Sequence, residues 1–155
     1  MGTKPKDVHY QEARVLSSMH HLQMLPSSLC PIPMRLPEDM LRIGKLVLNK
    51  GKWSNEQIVS EEWIDESTQF QISTYNVISY GSSYGYYWWR ATANNYNYFY
   101  ANGWAGQFII IVPDYSLIVV ATTNYSGLTD QQAETLWYNL MQIIVNEVLT
   151  SFTKA

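Results

Sequence analysis

Charge is scarce in this chain of 155 residues: Asp, Glu, Lys and Arg make up 15% of it, and the formal net charge is only −3. With no basic field to attract phosphate backbones or anionic lipid, a nucleic-acid partner is not expected. Cysteine is almost absent. Cys30 stands alone, which excludes an internal disulfide, a zinc site built on several thiolates and a redox pair. Long apolar runs are missing as well. Runs such as Phe108–Val112 fall far short of the ~18–20 residues a spanning helix needs, so no membrane span is expected. Met1–Ser17 mixes Lys, Asp, Glu and Arg with small residues and lacks the apolar core of ~7–15 residues of a secretory signal, so no export signal is expected in the chain as written.

What the chain does have is apolar surface. Hydrophobic residues make up 46% and aromatics 14%, far too apolar for a disordered chain and enough for one core. The composition changes near Pro33. Residues 1–33, with His9, His20, His21 and several Met and Ser, show no sustained period and are read as irregular, whereas 34–155 are read as one domain. From Pro37 to Asn49-Lys-Gly51 the apolar spacing predicts an amphipathic helix with a glycine stop. Ser60-Glu-Glu-Trp63 predicts a second helix, capped by Ser60 and running to about Thr68.

Strand signals follow. Tyr84–Arg90 and Tyr96–Tyr100 are dense in aromatics, and Gln107–Val112 and Leu117–Thr123 are rich in Ile and Val, with Pro113-Asp-Tyr-Ser116 as a turn between the last two. Thr129 and Gln132 form a capping box before the stripe Ala133, Leu136, Trp137, Leu140, Ile143, Ile144 and Val148, which predicts a long closing helix. The expected fold is α+β: an antiparallel sheet of three to four strands, two short helices before it and a long C-terminal helix packed on it. A strand as apolar as Phe108–Val112 needs cover on both faces. The chain supplies little for the second face, which suggests that an upstream part is missing.

Several blocks carry a resemblance. Pro37–Trp53, Gln57–Trp63, Tyr84-Gly-Tyr-Tyr-Trp-Trp89, Ala101-Asn-Gly-Trp-Ala-Gly-Gln107 and Val112-Pro113, in this order, resemble the β-lactamase-related serine hydrolases. That family includes class C β-lactamases, D-alanyl-D-alanine peptidases (penicillin-binding proteins), esterases and amide hydrolases. The resemblance implies a two-part fold: a sheet flanked by helices, and a helical part that carries the nucleophile. The acylating Ser of an S-x-x-K motif needs its Lys one helical turn on to help remove the hydroxyl proton. A Y-x-N motif supplies a second base, and a third motif lies on an edge strand beside the cleft.

By resemblance, Ala101-Asn102-Gly103 occupies the place of the third motif, Lys-Thr-Gly in β-lactamases, with Gly106 as the family's second glycine. The backbone N–H of Trp104 then matches the oxyanion donor, and Asn102, Gly103 and Gln107 border the substrate. Ala101 supplies no cation for a substrate carboxylate, which leans toward an ester or amide hydrolase. The residue-level alternative is that Gly103 and Gly106 mark only a bulge or turn. The one literal S-x-x-K, Ser151-Phe-Thr-Lys154, sits near a fraying end and is read as chance. Tyr96-Asn97-Tyr98 and Tyr75-Asn76 lack the Y-x-N context and are assigned no role. The expectation is a truncated fragment, inactive alone, whose natural partners are a small ester, amide or peptide substrate and a missing N-terminal half.

Other chemistry reads less well. His9, His20, His21 and Cys30 lack carboxylate support and are taken as polar surface, so no metal and no cofactor are expected. Glu61, Glu62, Asp65 and Glu66 fit a helix start better than a pair of glycosidase acids. Trp88, Trp89, Tyr96, Tyr98 and Tyr100 form either sheet packing or a stacking platform, and the platform would make the chain a non-catalytic module for cell-wall glycan or peptide. Asn124-Tyr-Ser126 spells a glycosylation sequon.

Overall fold

The computed structural model describes residues 11–16, 37–74, 81–93 and 95–152. Strand β1 (Gln11–Leu16) comes first. Helix α1 (Pro37–Leu48) opens on its proline and carries Glu38 and Asp39 in the first turn and Lys45 in the last, complementing the helix dipole. It closes as a Schellman motif: Lys50 N–H donates to Val47 O, Gly51 N–H donates to Leu46 O, and Lys50 and Gly51 take φ of 55° and 80°. A small ribbon, β2 (Lys52–Trp53) and β3 (Glu56–Gln57), turns through Ser54 and Asn55, both at positive φ as a tight hairpin requires. Helix α2 (Glu61–Thr68) is capped by the Ser60 hydroxyl, which accepts from Trp63 N–H at 3.2 Å.

The main sheet follows: β4 (Ile72–Ser73), β5 (Ser83–Tyr84), β6 (Trp89–Ala93), β7 (Tyr96–Gly103), β8 (Gln107–Val112) and β9 (Leu117–Thr122). These six are antiparallel neighbours in reverse chain order, and β1 adds in parallel beside β9, so the order is β1-β9-β8-β7-β6-β5-β4. The sheet is thus larger than the three to four strands expected, because two-residue strands such as β4 and β5 are too short to leave a periodic signal. Residues 1–33 were read without an element, yet Gln11–Leu16 form a strand; the rest of that segment lies outside the described residues.

The run Tyr84–Arg90 is not one strand. Gly85 N–H donates to Trp88 O at 2.8 Å and Tyr87 takes φ 66°, so the aromatic run is the tip of the β5–β6 hairpin. Gly85 is required there, since a Cβ would collide with the carbonyl oxygens of Ser67 and Gln69 at the end of α2.

Both faces of the sheet are covered. On one, Tyr98, Tyr100, Phe108, Ile110, Val119 and Ala121 pack against Leu140, Met141, Ile144, Val145 and Leu149. Those five come from α3 (Asp130–Ile143) and the turns that continue it, a π turn Ile144–Val148 and a 3-10 turn Leu149–Ser151. The capping box of Thr129 and Gln132 is present. Met141, Val145 and Leu149 are buried while Ile143, expected in the stripe, is exposed, because ordinary helical spacing sets it about 80° from the line through Ala133 and Ile144.

On the other face, Ile109, Ile111, Ile118 and Val120 pack under Met40 and Val47 of α1 and Ile64 of α2. This corrects the expected shortage of cover. Glycine makes it possible: a Cβ at Gly44 would lie 2.7 Å from Ile118 Cγ2 and 3.2 Å from Ile109 Cγ2, so α1 sits closer to the sheet than any side-chain-bearing residue at this position allows.

Candidate functional site

The sequence-predicted residues converge on the C-terminal end of β7. This strand is not at the edge of the sheet, because β6 and β8 flank it. Its last three residues are nevertheless open on one side. Pairing with β6 ends at Trp89↔Tyr100, whereas pairing with β8 continues through Ala101↔Ile109, Asn102↔Phe108 and Gly103↔Gln107. Ala101–Gly103 therefore overhang β6. The cause is the Gly85–Trp88 turn, which reverses the chain one residue before it would reach Ala101. Backbone groups alternate sides along a strand, so at least one of the three directs its N–H and C=O to the open side.

Beyond Gly103 the chain turns through Trp104, Ala105 and Gly106. Ala105 takes φ 58° and Gly106 φ 93°, the left-handed region that a non-glycine residue enters only when its surroundings hold it there. Thr123, just past β9, is what holds it. Its hydroxyl donates to Ala105 O, and Gln107 Nε2 donates to Thr123 O at 3.1 Å and to Thr123 Oγ1 at 3.2 Å. Ala105 is buried and Gly106 lies against Leu140 and Thr123, where a Cβ would approach both at 3.2 Å. Trp104 is exposed, and its backbone N–H enters no hydrogen bond among the described residues. The turn is thus a braced loop presenting one backbone donor beside the open strand end.

Asn102 faces α3, on the side of the sheet opposite Ala101 and Gly103. Its Oδ1 accepts from Trp137 Nε1 at 2.7 Å, so the side chain ties the strand end to the C-terminal helix. Gln107 likewise braces the turn. Ala101, like Trp88 and Phe99, is partly buried against the core of the α1 face. The surroundings offer no cation from this stretch: between Arg90 and Lys154 the sequence contains no Lys, Arg or His. Arg90 itself donates to Thr68 O.

Next to the overhang stand the hairpin tip and α2. Tyr86 N–H donates to Ser67 O at 2.8 Å, the Tyr86 ring stacks on Trp63, and Trp88 packs edge-on against Phe99 at 5.4 Å. Exposed aromatics here are Trp63, Tyr86 and Tyr87. The residues proposed for a stacking platform are mostly spoken for: Tyr98 and Tyr100 are buried, Trp89 packs on Tyr84, and Tyr96 packs on Tyr115 and donates to Phe152 O at 2.8 Å. A cleft of about 340 Å³ opens elsewhere, against Arg90 and Thr92 of β6 and Asn97 and Phe99 in the first half of β7, and none of Ala101–Gln107 lines it.

The remaining candidates stay apart. The Ser151 hydroxyl donates to Val148 O at 2.7 Å, and Lys154 lies outside the described residues, as do His9, His20, His21, Cys30 and Tyr75-Asn76. Asp65 pairs with Lys50, in keeping with a structural role for the α2 acids. Tyr100-Ala101-Asn102 also spells Y-x-N, a match the sequence reading passed over. Tyr100 is fully buried under α3, however, with burial pushing its pKa up and Tyr98 adding to the shift, so its hydroxyl reaches no substrate. Asn124 Oδ1 accepts from Ser126 N–H at 3.0 Å in an exposed loop. No group of three His, Cys, Asp or Glu side chains that would hold a metal occurs among the described residues. No described helix is long and apolar enough to cross a membrane.

Comparison with protein-family models and with curated proteins finds no match for this chain.

Proposed function

We propose that residues 34–155 form the substrate-side wall of a β-lactamase-related serine hydrolase, an enzyme that acylates its serine with an ester or amide. The observation that carries this reading is the overhang of Ala101–Gly103 beyond β6, followed by the braced turn that presents Trp104 N–H. An acyl-transfer site needs this combination: strand backbone open to an extended substrate, and a fixed donor where negative charge develops on the carbonyl oxygen. Absence of Lys, Arg and His from the whole stretch after Arg90 as far as Thr153 favours a substrate without a carboxylate at that position. The attacking serine, its lysine and the tyrosine base are assigned to sequence encoded upstream.

Two measurements test the reading. A fluorophosphonate or a labelled penicillin is expected to leave the purified chain unmodified; a stoichiometric adduct lost on replacing one serine would overturn the assignment of the nucleophile to an upstream part. The DNA before codon 34, read in all three frames, is expected to encode S-x-x-K and then Y-x-N. Absence of both motifs from every frame removes the hydrolase reading and leaves the glycan- or peptide-binding module, for which the exposed Trp63, Tyr86 and Tyr87 are the residues to test.

A further inference from the structure

Two exposed aromatic rings meet where α2 adjoins the β5–β6 hairpin tip. Trp63 and Tyr86 stack with ring centroids 5.7 Å apart and planes 16° from parallel, and they remain 49% and 40% exposed. Tyr87, held at φ 66° by the tip, is 86% exposed beside them in sequence. Tight backbone anchoring fixes this surface: Tyr86 N–H on Ser67 O, and Gly85 pressed against the carbonyls of Ser67 and Gln69. Rings left open on a rigid mount have a ligand-facing character that rings on a mobile loop do not.

Charge decides what fits. α2 carries Glu61, Glu62, Asp65 and Glu66 and no basic residue, and exposed Glu66 stands three residues on from Trp63, its neighbour on the helix surface. Lys50 pairs with Asp65, and Arg90 donates to Thr68 O. Aromatic faces with negative edges of carboxylate around them attract a soft, weakly hydrated cation, through the ring quadrupole and the acids together. An anion is repelled by the same acids, and an uncharged apolar group gains only the area term.

We propose that Trp63 and Tyr86, with Glu66, form a binding site for an alkylammonium head group of a small molecule. This goes beyond the hydrolase reading and does not depend on it. Choline and its uncharged isostere 3,3-dimethylbutan-1-ol are the probes, and the indole Nε1–H resonance of Trp63, assigned with Trp63→Ala, is the readout. Choline is expected to shift that resonance saturably and to bind about tenfold more tightly than the isostere, a margin of the size that a cation on aromatic faces provides. Glu66→Gln should weaken choline and leave the isostere unchanged, with folding checked by circular dichroism. Equal binding of the two probes, no binding of either, or an unaltered choline affinity in folded Tyr86→Ala would each overturn the proposal. Binding of a lysine-rich peptide without choline would overturn it too, by assigning the surface to a protein partner.

Discussion

The indole N–H of Trp137 donates to Asn102 Oδ1 at 2.7 Å, joining the second turn of the C-terminal helix to the open end of β7. The same indole packs on Phe108 at 5.7 Å between ring centroids, so the bond rests on a ring that packing holds still. Because the Asn102 side chain points to α3, its contribution to the candidate site is to set the strand end in place. A double-mutant cycle of Trp137→Phe and Asn102→Ala should return a coupling of about 0.5–1.5 kcal/mol in urea unfolding. Additive effects would show the bond to contribute nothing.

Thr123 governs the turn that carries Trp104. Thr123→Val removes the donor to Ala105 O and one acceptor of Gln107, and should cost about 1–3 kcal/mol because buried Ala105 loses its partner. Amide exchange across residues 104–107 should accelerate with it. Thr123→Ser keeps the hydroxyl and should restore most of the protection; a larger loss in Ser than in Val would shift the role from hydrogen bonding to the methyl group's packing on Gly106.

Gly44→Ala sets two effects against each other. Alanine improves helix propensity by about 1 kcal/mol, whereas its methyl, 2.7 Å from Ile118 Cγ2 and 3.2 Å from Ile109 Cγ2, overpacks a covered face at about 1–3 kcal/mol. Ile118 is β-branched and buried, so it has little room to give. The melting temperature should fall. A rise would mean that α1 rides further from the sheet.

Tyr100→Phe should leave stability unchanged or raise it, by up to about 1–3 kcal/mol, since the buried hydroxyl has no hydrogen-bond partner among the described residues. The pH dependence has a definite sign. Burial raises the Tyr100 pKa in the folded state above its ordinary value of 10.0, so the folded chain keeps a proton that the unfolded chain releases. That contribution is fully present below pH 10 and is lost as the pH climbs beyond it. Unfolding curves of the parent chain should therefore weaken more steeply above pH 10 than those of Tyr100→Phe; parallel curves would contradict the burial of the hydroxyl.

Local signals in the sequence were enough for the elements whose causes are local. Pro37 with the Lys50-Gly51 stop, the Ser60 cap, the Thr129–Gln132 box and the Pro113–Ser116 turn each act within a few residues, and each stands where its residues place it. The Ile and Val runs of β8 and β9 were equally legible, because a strand buried on both faces is apolar throughout. Tertiary contacts decided the rest. The break in Tyr84–Arg90 depends on Gly85 meeting the end of α2, the cover of the second face on Gly44 meeting Ile118, and the bracing of the Trp104 turn on Thr123, 18 residues from Ala105. Register, too, is a property of pairs of strands, so the overhang of Ala101–Gly103 past Trp89 has no trace in either segment alone. A residue's own neighbours in the chain determine whether it turns, caps or extends; which backbone is left open for a ligand depends on where other segments stop.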